Sequence, residues 1–220
     1  MAKISKKDFI EIEYTGRIKE DNSIFDTTDR KVAKENNMKS REEFGPVIVC
    51  VGENQVLKGL DISLEGKEAG AEYDVAINPK DAFGSKNPKL IQMIPTSKFI
   101  QQKIQPMPGL QLNIDGIVGT VKTVGGGRAL IDFNHPLAGK ELSYKVKINK
   151  KVTDPKEQLV GYLRLVLGMK DLEAEINEKK AKVTLKTEIP KEVQEEISNK
   201  LTVLISGIDK VEFAVNQKNK

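Results

Sequence analysis

Residues 8 to 19, Asp-Phe-Ile-Glu-Ile-Glu-Tyr-Thr-Gly-Arg-Ile-Lys, alternate apolar and polar side chains, and the same period of two returns at Leu142, Tyr144, Val146 and Ile148. That period belongs to an extended strand with one covered face. Between the two runs the composition changes: residues 87–132 hold four prolines, a cluster of glycines and strand-like stretches such as 116–124. The chain therefore reads as a domain that is interrupted by a small, mainly-β insert and then regains a strand. The expected bounds are 1–86 with 133–152 for the first domain and 87–132 for the insert.

Further elements follow from local chemistry. A second strand is expected at 47–51, and the charged stretch 29–44 reads as a surface helix or a long loop. Val56, Leu57, Leu60 and Leu64 have the offsets of a short amphipathic helix over 55–64, which Gly66 ends. Gly70, then the alternating Tyr73, Val75 and Ile77, predict a turn and a strand closed by Asn78-Pro79. The run Val124-Gly-Gly-Gly-Arg-Ala129 joins two alternating stretches, which a hairpin tip explains without a ligand. A phosphate-cradling loop would need a Gly-Lys-Ser/Thr ending and a following helix, and neither is present in the sequence.

Thr153-Asp154-Pro155 marks a boundary, because Asp154 suits an N-cap and Pro155 a first helical position. Beyond it, Leu159, Val160, Leu163, Val166 and Leu167 form a helical stripe, and 181–189 alternates like a strand. Pro190 then opens a helix carrying Val193, Ile197, Leu201 and Leu204, and Val211, Phe213 and Val215 predict a last strand. Residues 153–220 thus read as a separate small α+β domain. Its apolar run 201–205 exceeds what one helix face needs, and the expectation is a homodimer through this domain.

The chain has 220 residues, with 38% apolar and 31% charged, the balance of a globular protein with real cores. No apolar run approaches a membrane span. The first eight residues are basic without an apolar stretch behind them, so they do not read as a secretory signal, and a cytoplasmic location is expected. Cys50 is the sole cysteine and has no internal partner for a disulfide. A net charge of +4, from 36 basic and 32 acidic residues, makes nucleic acid a weak reading. No aromatics interleave with the lysines of 145–151 to stack bases.

Three neighbouring segments carry the chemistry: Tyr14-Thr-Gly16, Phe25-Asp26-Thr-Thr28 and Val56-Leu57-Lys-Gly59-Leu60. Two aromatics, aliphatics and one carboxylate describe a small apolar cleft with few polar anchors. Taken singly, Tyr14, Phe25, Val56 and Leu57 are better read as core, and Asp26 can equally be the cap of its own turn.

The joint order of these segments, with Gly52, Glu65-Gly66 and Ala82-Phe-Gly84, resembles the FKBP-type peptidyl-prolyl cis-trans isomerases. Asn134-His-Pro-Leu-Ala-Gly-Lys-Glu-Leu142 is similar to the segment by which SlyD-like members return from an inserted flap domain, and the added tail looks like the long-chain archaeal branch. The resemblance implies an α+β fold: a twisted antiparallel sheet around a short helix, a mainly-β flap domain and a C-terminal domain. It implies prolyl isomerisation and chaperone activity on unfolded or partly folded proline-containing polypeptides. Tyr14, Phe25, Asp26, Val56, Leu57, Leu60, Phe83 and Tyr144 are the matched cleft positions, with the Leu57 N–H holding a substrate carbonyl. Leu60 stands where many members carry tryptophan, which implies a shallower floor.

In the insert, Met93, Ile94, Phe99, Ile100 and Met107 offer flexible or branched apolar groups suited to varied unfolded segments, or else form the insert's own core. The rival reading is a holdase with weak or no isomerase activity. No cofactor or metal is expected: His135 is the sole histidine, and the cysteine- and histidine-rich tail of some SlyD-like proteins is missing from this sequence.

Overall fold

The computed structural model describes residues 3–38, 44–114, 116–169 and 172–215. The expected helix or loop over 29–44 lies partly outside them. The chain forms two compact units, one from Met1–Ile77 with Leu142–Lys220 and one from Asn78–Glu141.

In the first unit the elements run β1 (Phe9–Ile18), β2 (Ile24–Thr27), α1 (Arg30–Glu35), β3 (Val47–Cys50), α2 (Lys58–Leu64) and β4 (Glu72–Ile77). The second unit supplies β5 (Ile91–Pro95), α3 (Thr96–Gln101), β6 (Gln111–Ile114), β7 (Ile117–Gly125) and β8 (Arg128–Asp132). The first unit resumes with β9 (Leu142–Val152), α4 (Pro155–Leu167), β10 (Glu173–Asn177), β11 (Lys180–Leu185), α5 (Lys191–Leu204) and β12 (Lys210–Val215).

The two alternating runs are neighbours: β1 pairs antiparallel with β9 from Phe9↔Val152 to Ile18↔Leu142. Their buried faces carry Ile10, Ile12, Tyr14, Tyr144, Val146 and Ile148. Among the described residues the sheet is five-stranded in the order β2-β1-β9-β4, with β3 on the other half of the β1 edge. At its far side Ile77 pairs with Leu142, so the chain leaves for the second unit and returns from it at facing positions of adjacent strands.

The second unit is an antiparallel sheet in the order β5-β8-β7-β6. Its core is Phe99, Leu112, Val121, Ala129 and Ile131. The tip of β7–β8 turns through Gly126 and Gly127 at φ of 56° and 73°, the left-handed geometry a tight hairpin requires and glycine supplies. Nothing lies within 4 Å of a Cβ built on either glycine, which suits the plain hairpin reading.

Residues 153 onward begin as the sequence predicts: Asp154 caps α4 by accepting the Glu157 N–H at 2.7 Å, and Pro155 is its first residue. Their core is continuous with the first sheet. Leu159, Leu163, Val183 and Leu201 share one buried cluster with Phe9, Cys50 and Val152. Burial first, then the charges of Glu53, Asp61 and Asp8, pushes the Cys50 thiol up to about 12, so it packs as a neutral apolar group. The sheet β10-β11-β12 contains a parallel pair, β11 with β12, joined through α5.

The apolar run 201–205 is mostly consumed by this core: Leu201 and Ile205 are buried, whereas Val203 is 68% exposed. The excess over one helix face has a simple cause. The helix ends at Leu204, and Ile205 leaves it at φ −108° and ψ 109°, so its side chain turns inward free of the helical period. The lysines of 145–151 also have acidic partners, Lys145 with Glu72 at 3.2 Å, Lys150 with Glu157 at 3.0 Å and Lys151 with Asp8 at 2.7 Å.

The closest approach in the shared core is at Gly161 of α4, where a Cβ would stand 2.5 Å from the Ile48 Cβ of β3. Glycine inside an exposed helix costs about 1 kcal/mol against alanine, so Gly161→Ala ought to stabilise on propensity alone. The collision with a β-branched carbon next to the backbone reverses the sign, because overpacking costs about 1–3 kcal/mol. Urea denaturation of Gly161→Ala is expected to show a lower midpoint; a midpoint at or above the parent's would mean that α4 does not rest on β3.

Candidate functional site

The sheet register lines up Asp26, Gly16, Tyr144 and Val75 across four adjacent strands, β2 to β4. Facing residues of paired strands point to one side of a sheet. The pairing of β1 with β2 breaks between Gly16 and Arg17: Gly16 faces Asp26 while Arg17 faces Ile24, which leaves Phe25 as an extra residue. This is a β-bulge, a device that re-aims side chains. Phe25 is thereby brought to the side of Tyr144, and their rings meet edge to face with centroids 5.7 Å apart at 89°.

Tyr14, two residues before Gly16, presents its ring to the same Tyr144, at 5.6 Å and 62°. The three rings converge because Gly16 has no side chain. A Cβ there would lie 2.9 Å from Phe25 Cζ and 2.9 Å from Cε1 and Cζ of Tyr144, inside contact distance of both rings. Such edge-to-face packing adds about 0.5–1.5 kcal/mol per pair beyond burial.

The strand under the rings is fastened by the two threonines after Asp26. The Tyr14 N–H donates to Thr28 Oγ1 at 2.8 Å, and the Thr28 N–H donates to the Tyr14 carbonyl at 2.9 Å. Thr15 and Thr27 share a hydroxyl bond at 2.8 Å. Asp26 is half-buried beside Gly16. Helix capping falls to Asp29, whose carboxylate accepts from the N–H groups of Lys31 and Val32 at 2.7 and 3.1 Å.

Val56 and Leu57 are half-buried immediately before α2, and Leu60 and Leu64 on that helix are fully buried. The helix starts at Lys58, later than the sequence pattern predicts, because Leu57 stays extended at φ −53° and ψ 133°. A buried carboxylate missed by the sequence reading organises this segment: Asp61 accepts from the N–H of Gly52 at 3.0 Å and of Asn54 at 2.9 Å. Its only signal in sequence is an acid on the apolar stripe of a short helix.

Phe83 belongs to the second unit and stacks on His135, with centroids 4.3 Å apart and the rings nearly parallel. The His135 Nδ1 accepts the Leu137 N–H at 3.2 Å. Asn134 joins the two ends of this unit's sheet, its Oδ1 accepting from the Asn87 N–H at 2.8 Å and its Nδ2 donating to the Asn87 carbonyl at 3.1 Å. Asp132 accepts from Asn134 in turn. Burial opposes its ionisation, but the Asn134 donors with Lys86 and Lys122 hold it below the ordinary carboxylate range.

The five apolar residues singled out in the insert part company. Met93, Ile100 and Met107 are 65%, 67% and 55% exposed. Phe99 is core, and Ile94 packs against that core. Phe99 is thus corrected from a surface contact to a packing residue: as the only large aromatic on α3 it closes the sheet's apolar face. Ile117 and Val118, not singled out by sequence, are exposed on β7.

Among the described residues no group of three or more His, Cys, Asp or Glu side chains is placed to hold a metal ion. Nor, among them, is any helix long and apolar enough to cross a membrane.

Residues 1–105 match the family model described as FKBP-type peptidyl-prolyl cis-trans isomerase, and residues 92–137 match that described as FKBP26, IF domain. A short-type peptidyl-prolyl cis-trans isomerase of Methanocaldococcus jannaschii is 33% identical over 146 residues, covering 66% of this chain and 92% of its own length. A probable FKBP-type 16 kDa peptidyl-prolyl cis-trans isomerase of Pseudomonas fluorescens is 37% identical, covering 47% of this chain and 71% of its own length. The FKBP-type isomerase SlyD of Vibrio cholerae is 34% identical over 108 residues, 53% of its own length. With most of the first relative's length matched, and with Tyr14 and Phe25 of the ring cluster inside residues 1–105, the chain belongs to the FKBP-type peptidyl-prolyl cis-trans isomerase family.

Proposed function

We propose that this chain is a peptidyl-prolyl cis-trans isomerase that turns Xaa-Pro bonds in unfolded polypeptides, with its insert holding the client. The observation that carries the reading is the convergence of Tyr14, Phe25 and Tyr144 over Gly16, beside a half-buried Asp26, in a chain of this family. Rotation about a peptide bond is slow because it breaks amide resonance, a barrier of about 18–20 kcal/mol. An apolar, water-poor surface that accepts the proline ring and favours the twisted amide lowers it without a nucleophile or a cofactor. Each tenfold in rate needs about 1.4 kcal/mol.

In this reading the half-buried Phe25, Val56 and Leu57 meet the proline ring, Tyr144 and the fully buried Leu60 back them from the core, and the Leu57 N–H holds a substrate carbonyl. Tyr14 lines the rim and Asp26 orients polar groups around the twisted bond. Phe83 enters by its Ala82-Phe-Gly84 motif alone. The chain reads as a long-chain, SlyD-like member of archaeal type acting in the cytoplasm, with an isomerase domain over 1–86 and 133–152, a flap over 87–132 and a tail over 153–220 whose core is shared with the isomerase sheet. The match of residues 92–137 supports the flap reading. Client contact falls to the exposed Met93, Ile100 and Met107, since methionine adapts to varied apolar partners.

Isomerisation of a short Xaa-Pro peptide, measured beside a proline-limited refolding reaction, tests the whole. Acceleration of both, with the larger effect on refolding, is expected. Suppressed aggregation without acceleration would instead favour the holdase. Replacing residues 87–132 by a short linker is expected to spare peptide turnover and cripple refolding; equal loss of both would argue against the division of labour.

Asp26→Ala and Phe83→Ala are each expected to lower kcat/KM on the peptide by about tenfold, a loss of about 1.4 kcal/mol in transition-state stabilisation, with unchanged circular dichroism. Gly16→Ala should do at least as much by parting the rings, visible as altered near-ultraviolet dichroism. Full activity in all three variants would remove the site assignment.

A homodimer through the tail completes the reading, its exposed large apolar side chains among the described residues being Val166, Val193, Val203 and Val215. Sedimentation of the full chain is expected to give a dimer that Val203→Lys weakens, and a monomer at high concentration would dismiss it.

A further inference from the structure

The loop from β3 to α2 is the part of the first unit that delivers Val56 and Leu57, and it is held from two sides. On one side, Asp61 accepts from Gly52 and Asn54, whose φ angles of 92° and 53° both lie in the left-handed region. Gln55 Oε1 accepts from the Cys50 N–H at 2.7 Å. Asparagine is one of the few non-glycine residues that enter this region readily, and the Asp61 acceptor holds Asn54 in it.

On the other side the loop faces α4 and α5 across a cavity of about 390 Å³, lined among others by Gln55, Tyr162, Leu165 and Val193. None of the proposed proline-contacting residues lines it. Gln55 Nε2 is buried there without a hydrogen-bond partner among the described residues. Close packing therefore does not fix the loop on this flank. The bridging contact is an ion pair: Lys200 Nζ on α5 lies 2.8 Å from Glu53 Oε2, with the Glu53 side chain only 19% exposed. The Glu53 bond holds the Lys200 ammonium above its ordinary range, and the Tyr162 hydroxyl, kept neutral by burial, is its second partner.

We propose that Lys200 is a positioning residue for prolyl isomerisation: from the tail it braces Glu53 and so fixes the loop that presents Val56 and Leu57 to the substrate. The inference rests on reading those two residues as proline contacts. It gives residues beyond 153 a task inside their own protomer.

The test compares the full chain with Lys200→Met, Glu53→Gln, the exchanged pair Glu53→Lys with Lys200→Glu, and Lys191→Met in the first turn of α5 as control. Two readouts are taken: peptide kinetics and amide hydrogen exchange at residues 52–57. Loss of the brace is expected to raise KM about three- to fivefold at nearly constant kcat, the size of one partly buried ion pair. Exchange at 52–57 should quicken, and the exchanged pair should recover both. General destabilisation would instead remove active molecules, lowering kcat at constant KM. That pattern would overturn the proposal, and so would faster exchange without a change in KM, or no change in either. Should Lys200→Met fail to fold, Glu53→Gln decides from the loop side. A wild-type chain inactive on peptides would sink the isomerase reading itself, and exchange at 52–57 would then decide the brace alone.

Discussion

The absent side chain at Gly16 is the constraint on which the ring cluster depends. Two rings occupy the space that a Cβ would take, and they reach it from different strands. Tyr144 arrives by register, directly across β1–β9, whereas Phe25 arrives only because one extra residue in β2 rotates it out of the strand's alternation. Glycine and bulge are thus one device. Without the bulge Phe25 would face the other side, and without the glycine there would be no room for it. The threonines that fasten Tyr14 on both its N–H and its carbonyl keep the bulged segment from sliding.

The second dependence runs from the tail into the first sheet. Gly161 lets α4 lie against Ile48, and the buried cluster around Cys50 continues across that contact. The strand that α4 covers ends in the loop that leads to Val56. Tail core, β3 and the loop after it are therefore links of one covalent and packed path.

Much of this was legible in sequence. The period-two runs predicted strands β1 and β9, though not that they pair; Asp154-Pro155 predicted the start of α4, and the glycine run predicted a hairpin tip. The three cleft segments were visible as motifs. Other features were hidden, for definite reasons. The bulge at Phe25 leaves no mark in composition, because it is a fact of pairing between strands. Asp61 looks like a solvated acid until the loop that uses it is folded over it. Phe99 and Met93 are both apolar residues of one short span, and only the sheet decides that the first closes a core while the second is exposed. The run 201–205 is longer than one helix face because its first four residues belong to the helix and its last to the chain leaving that helix.

The pairing of Ile77 with Leu142 fixes what the first unit demands of everything between them. Partners facing each other on antiparallel strands have Cα atoms about 4.5–5.5 Å apart. Any intervening segment whose ends close to that gap leaves the register of β4 and β9 untouched, whatever its length or fold, since loop-closure cost grows only slowly with length. The strand pair is in that sense a socket, and residues 78–141 are a cartridge: their sequence is free to change while the five-stranded sheet stays as it is.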